Sequence, residues 1–168
     1  MVARLVIHGG LIDGSTGEAE RAPRRRALQE ILDAAYAVLE QSDARTAVVH
    51  ACVLLEDCPL FNAGTGATIQ RDGQIRLSCA LMDGQGQRFS GLVNARLLKN
   101  PILLAEKLQS LADRVLDPTG AEIFARTVGA AIHDPATPEI VRRWAEARFD
   151  ERYRRSHGTV GAVAVDQV

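Results

Sequence analysis

The sequence predicts a layered α/β structure, and three observations carry that prediction. Short apolar runs stand near both ends, Leu5 to Ile7 and Val160 to Val165. Two stretches between them repeat apolar residues at helical spacing, and an Arg71-Asp72-Gly73 tight-turn signal separates β-prone segments. Strands and helices in this order suit layers around a shared core.

The first run, Leu5 to Ile7, reads as a strand ending in His8-Gly9-Gly10, with an irregular, glycine-containing loop from Leu11 to Gly17. From about Pro23 to Gln41, Leu28, Ile31, Leu32, Ala35, Val38 and Leu39 predict a helix, with Pro23 near its first turn. A second helix, Ala44 to Asp57, repeats the pattern through Val48, Val49, Cys52 and Leu55. It stops where Cys58 precedes Pro59. Ala67 to Gln70 and Gln74 to Met82 are expected to pair as a hairpin around Asp72-Gly73. Further strand material lies around Ser90 to Leu97, and Pro101 opens a helix through about Leu111. A short helix is expected over Gly120 to Gly129, and a charged one over Glu139 to Arg154, after a polar loop from His133 to Pro138.

Composition bounds the function. At 168 residues, with 46% hydrophobic and 24% charged positions, the chain is ordinary for one soluble domain or part of one. A net charge of −1 gives no electrostatic basis for binding nucleic acid or an anionic membrane. The clusters Arg24-Arg25-Arg26 and Arg152 to Arg155 read as solvated surface. Three cysteines, Cys52, Cys58 and Cys79, lack metal-ligand spacing and read as reduced thiols. The opening residues are too briefly apolar for a signal peptide and no stretch approaches a membrane span, so the expected location is cytoplasmic.

The segment His157-Gly158-Thr159-Val160-Gly161 carries the chemistry. It joins a small nucleophilic residue to a glycine at the mouth of an apolar strand. Gly158 has no Cβ to obstruct attack on its carbonyl, and the β-branched Thr159 limits where its hydroxyl points. Attack of that hydroxyl on the Gly158 carbonyl turns the peptide into an ester, and hydrolysis then frees a threonine bearing both a nucleophile and an amine. An α-amino group titrates around pH 7.7 to 8, which makes it a usable base. The other reading is a buried strand start with a polar residue at its edge. Scattered histidines are more often structural or solvated than catalytic, and His50 and His133 are read so. His157 is also adjacent enough to assist proton transfer at the junction.

Three further segments accompany this junction: Ile7-His8-Gly9-Gly10, the run Leu54-Leu55-Glu56-Asp57-Cys58-Pro59-Leu60-Phe61-Asn62-Ala63-Gly64-Thr65-Gly66-Ala67, and Leu81-Met82-Asp83-Gly84 with Lys99-Asn100-Pro101-Ile102. In kind, order and separation they resemble the plant-type asparaginase and isoaspartyl peptidase family, and Gly-Thr-Val-Gly resembles its isoaspartyl peptidase branch.

The resemblance implies an αββα sandwich of the N-terminal-nucleophile hydrolase type, incomplete in this chain. Residues 1–158 would be an α-subunit-like region, and 159–168 the truncated first strand of a β-subunit-like region. It implies cleavage at Gly158-Thr159 and hydrolysis of β-aspartyl dipeptides and asparagine through a threonyl-acyl intermediate, with Thr159 as nucleophile. Gly9 and Gly10 would support the junction, and Asn62 would pin the central loop near the nucleophile. A structural sodium ion would be held by the main-chain carbonyls of Leu55, Glu56, Cys58, Phe61, Ala63 and Thr65, a hard-cation set in which side chains matter little. The implied partners are a complementary β-subunit-like chain and further copies in an oligomer, with no organic cofactor.

The chain also departs from the family. Leu11 and Ile12 replace the usual alanine and glycine after the glycine pair, and Ser78-Cys79-Ala80 stand where an aspartate is common. Nine residues follow Thr159, whereas the family's β piece supplies the oxyanion donors and the groups gripping the substrate. The expectations are therefore two: a self-cleaving segment active once completed by a β piece, or a truncated, uncleaved, catalytically silent homologue acting as an assembly partner. Gly64-Thr65-Gly66 lacks the strand-loop-helix context and lysine of a phosphate loop. Asp83 either forms a turn or touches the active region.

Overall fold

The computed structural model describes residues 2–10, 17–150 and 158–166. It is a mixed α+β chain with two small sheets. The elements run β1 (Arg4–His8), α1 (Glu18–Gln41), α2 (Ala44–Asp57), a 3-10 turn over Gly64–Gly66, β2 (Leu77–Asp83), β3 (Arg88–Ala95), α3 (Pro101–Leu108), β4 (Val115–Leu116), α4 (Pro118–Thr127), α5 (Pro138–Ala147) and β5 (Gly161–Val165). Leu11, Ile12, His157 and the cluster from Arg152 to Arg155 lie outside the described residues.

The strand nearest each end of the chain forms the first sheet. β1 and β5 pair antiparallel, with Ile7 opposite Ala162 and His8 opposite Gly161. α1 and α2 pack against this pair. Ile31, Leu55 and Phe61 form their buried cluster, with Ile7 and Val160 against it. The opposite face is open: Val6 and Val163 stand directly across from each other at 68% and 73% exposure.

β2, β3 and β4 form the second sheet, with β2 and β3 antiparallel and β3 and β4 parallel. Leu77, Leu92, Leu104, Leu108 and Ala121 bury its inner face under α3 and α4. On its outer face Met82 and Phe89 are paired neighbours, both mostly exposed. Val49, Leu81, Ile102 and Ala105 knit α2 to α3 across the two halves.

α2 runs over the residues its pattern predicts. Asp43 caps it by accepting from the Thr46 amide at 2.9 Å, and the extended Cys58 ends it before Pro59. α1 begins earlier than Pro23. The extended Gly17 provides the starting carbonyl, Glu18 and Glu20 complement the dipole, and Pro23, which cannot donate to the carbonyl four residues back, is carried inside the helix.

The hairpin around Asp72-Gly73 is a turn without a ladder. Gly73, at φ +80°, donates to the Gln70 carbonyl at 2.9 Å, and Gln70 donates to that of Gln74 at 2.8 Å. Residues 67–70 form no strand, because the Thr68 amide is committed to the Asn62 side chain. β2 pairs instead with β3 across a turn in which Asp83 Oδ1 accepts from the amides of Gln85 and Gly86 at 3.0 and 3.1 Å, so Asp83 is a turn former.

The remaining elements shift by a few residues. β3 ends at Ala95, where Asn94 and Leu97 adopt left-handed backbone. α3 stops at Leu108, where the Gln109 amide donates only three residues back, to the Glu106 carbonyl at 3.1 Å, while the Gln109 side chain turns inward to donate to the Leu81 carbonyl and to Ser90 Oγ, both at 2.9 Å. α4 starts at Pro118 behind the Asp117 cap, and Gly129 at φ +69° lies just past its end. α5 starts at Pro138, ends at Ala147 and is fastened by the Trp144 indole, which donates to the Gln70 carbonyl at 3.0 Å. β4 had no counterpart in the sequence pattern, since two residues carry no periodicity.

Candidate active site

The β1–β5 pairing brings the His8-Gly9-Gly10 turn beside the Gly158-Thr159 junction. Gly10 stands at φ +94°, and a Cβ added there would lie 3.2 Å from the Thr159 carbonyl oxygen and 3.6 Å from its nitrogen. Only glycine allows both that backbone conformation and that approach. Gly9 packs differently: a Cβ on it would meet the Phe61 ring at 2.8 Å. Phe61 is buried, so the glycine turn rests on the same loop that carries Asn62.

That loop, Cys58 to Gly66, folds back on itself through main-chain bonds. Phe61 donates to the Cys58 carbonyl at 3.3 Å, Ala63 to that of Phe61 at 2.9 Å, and Gly66 to that of Ala63 at 2.9 Å. The fold presents Asn62 to the junction. Asn62 Nδ2 donates to the Gly158 carbonyl oxygen at 2.6 Å, while its Oδ1 accepts from the Thr68 amide at 2.8 Å. The second bond fixes which end of the amide faces Gly158. Thr68 acts through its backbone, so no side-chain signal marks it in the sequence.

Thr159 is exposed and lines a cleft of about 1380 Å³ bordered by both sheets, by Asn62 and by Gly158. Ser78, Cys79 and Ala80 line the same cleft and bring no carboxylate to it. At the cleft, Arg45 lies 4.0 Å from Asp83, and Asp166 Oδ2 accepts from the Ala44 amide at 2.8 Å, tying the end of β5 to the start of α2.

Glu56 also borders the cleft. It is 4% exposed, its Oε1 accepts from the Ile102 amide at 3.3 Å, and its Oε2 has no partner among the described residues. Burial pushes its carboxyl up to about 8, partly opposed by bonds from Asn100 and Ile102. Burial likewise pushes Cys52 and Cys79 up to about 12, with the neighbouring Glu56 adding to it, so both remain thiols rather than nucleophiles.

The two glycines of the loop are packed tightly against main chain. A Cβ at Gly64 would overlap the Glu56 carbonyl oxygen, and one at Gly66 would overlap that of Phe61 and come within 2.9 Å of that of Pro59. Main-chain oxygens thus crowd the space the two glycines leave free. Among the described residues no group of three or more His, Cys, Asp or Glu side chains could hold a metal ion, and no helix is long and apolar enough to cross a membrane.

A glycine turn, an asparagine on the junction carbonyl and an accessible threonine behind it form one constellation. The family model described as Asparaginase matches residues 1–168. The chain belongs to the asparaginase family. This asparaginase-family chain is 40% identical to an isoaspartyl peptidase/L-asparaginase of Synechocystis over 99% of its own length and 55% of the relative's. It is 38% identical to an isoaspartyl peptidase/L-asparaginase of Nostoc, covering 97% of itself and 57% of the relative. A plant-type L-asparaginase of Thermococcus kodakarensis is 35% identical, over 98% of the chain and 60% of the relative. The chain therefore spans a little over half of the length of these three relatives.

Proposed function

We propose that the chain is the self-cleaving region of an isoaspartyl peptidase/L-asparaginase. The observation that carries this reading is the Asn62 bond to the Gly158 carbonyl oxygen. The Thr159 hydroxyl attacks the Gly158 carbonyl carbon, and the negative charge that develops on oxygen falls on the atom already facing the Asn62 amide. Collapse of the tetrahedral centre breaks the C–N bond and passes a proton to the leaving nitrogen. The product is an ester between Gly158 and Thr159 Oγ. Water hydrolyses it, leaving a carboxylate on Gly158 and a free amine on Thr159. Gly10 leaves room for the junction, and Gly9 seats the turn on Phe61.

The liberated threonine is then the nucleophile toward β-aspartyl dipeptides and asparagine, with its own amine as base and a threonyl-acyl intermediate on the path. This step needs a β-subunit-like piece for its oxyanion donors and substrate grip. The open faces around Val6 and Val163, and around Met82 and Phe89, are the surfaces that piece covers, completing an αββα sandwich and supporting an oligomer. The same reading includes a structural sodium ion held by the main-chain carbonyls of Leu55, Glu56, Cys58, Phe61, Ala63 and Thr65. Three unpaired cysteines are in keeping with a reducing, cytoplasmic setting.

Intact mass and N-terminal sequencing after incubation test the reading. A new N-terminus at Thr159, abolished in Thr159→Ala, supports it. An unchanged mass over days, with no β-aspartyl dipeptide hydrolysis, supports the silent homologue instead.

A further inference from the structure

A second cavity of about 350 Å³ lies apart from Thr159, between the end of β3, the first turns of α4 and the segment at residues 130–132. Its charge pattern is specific. Three arginines, Arg76, Arg96 and Arg126, reach its wall. Two are already neutralised: Arg76 pairs with Asp72 at 2.7 Å, and Arg126 with Glu122 at 2.6 Å. Arg96 makes no ion pair among the described residues and gives Nη1 to the neutral Gln74 Oε1 at 3.0 Å. The exposed Arg96, with no carboxylate partner among the described residues, therefore borders a concave space whose walls include the buried, apolar Leu98 and Ala125.

The backbone around Arg96 is unusual in the same place. Asn94 at φ +53° and Leu97 at φ +57° are two of the three non-glycine left-handed residues in the described chain, and both line this cavity. A leucine in that region is disfavoured by its Cβ, and such conformations collect at binding sites. They bracket Arg96 where β3 ends.

We propose that this cavity binds a small monoanion, a short-chain aliphatic carboxylate. Its carboxylate accepts both donors of the Arg96 fork, a planar match that a lysine would not give. Its alkyl body lies against Leu98 and Ala125. The volume suits a ligand of a few carbon atoms, at the low end of small-molecule pockets. One net positive charge selects one negative charge, and the Glu122 carboxylate beside Arg126 disfavours a second. Arg76 and Asn94 also border the large cleft, so the bound anion would share a wall with the junction's surroundings.

Saturation-transfer NMR on the full chain with hexanoate, hexanol and hexylamine tests the proposal. Hexanoate is expected to bind saturably, and the alcohol and amine are not. Arg96→Gln is expected to weaken hexanoate by at least about tenfold, the loss of a charge-assisted pair, and Arg96→Lys to give an intermediate loss. If Arg96→Gln does not fold, Ile132→Glu at the exposed rim serves instead and must abolish binding by repulsion. No hexanoate binding to the unaltered chain, equal binding of hexanol, or unchanged affinity in Arg96→Gln or Ile132→Glu would each overturn the site.

Discussion

Asn62 and Gly158, 96 positions apart in the chain, meet through one short hydrogen bond: the side-chain amide donates to the main-chain carbonyl oxygen at 2.6 Å. The bond points at the carbonyl that Thr159 would attack. An amide that polarises a ground-state carbonyl contributes more once that oxygen becomes an anion, because the donor is in place before charge appears.

Asn62→Ala is therefore expected to slow appearance of the Thr159 N-terminus by about 10²- to 10³-fold. Asn62→Asp should be similarly slow, since a carboxylate cannot donate and would face a developing negative charge. Timed mass spectrometry measures both. Cleavage at the unaltered rate in either variant would remove Asn62 from the chemistry.

Gly10→Ala forces a Cβ into left-handed backbone and to 3.2 Å from the Thr159 carbonyl oxygen. The conformational part alone costs about 1–2 kcal/mol. Chemical denaturation should show at least that loss, together with slower cleavage as the junction is displaced. A variant as stable and as fast as the parent would mean that the turn readily relaxes.

Asp43 offers a pH test independent of the junction. The Thr46 amide, and more weakly its hydroxyl, hold the Asp43 carboxyl below its usual value of 3.8. The folded state thus prefers the charged form. The stabilisation is present above the unfolded value and is lost as pH falls through the lower folded one. Asp43→Ala should cost about 1 kcal/mol near neutral pH. In urea titrations the gap between the two proteins should close in acid; a gap that persists at the lowest pH would contradict the cap.

The sequence made α2 legible end to end because both of its boundaries are local: an aspartate cap in front and a Cys-Pro step behind. The Gly158-Thr159 pair stood out for a similar reason, since the proposed cleavage needs only adjacent residue types. Pro23 misled because proline favours a helix's first turn, yet the acidic residues and extended Gly17 before it already form that turn. Residues 67–70 look like a strand by composition, but the Thr68 amide bonds to a side chain six positions back rather than to a neighbouring strand. Asn62's aim at Gly158 depends on a loop held by Phe61 and main-chain bonds, and no local pattern encodes a contact across 96 positions.

The pairing of β1 with β5 carries a consequence for biosynthesis. β1, at residues 4–8, finds its partner only in β5, at residues 161–165, which is translated much later. While the ribosome still holds that stretch, Gly10 has no junction to approach and Asn62 has no carbonyl to reach. Under the proposed cleavage, topology alone would shield a nascent polypeptide from premature scission until β5 joins β1.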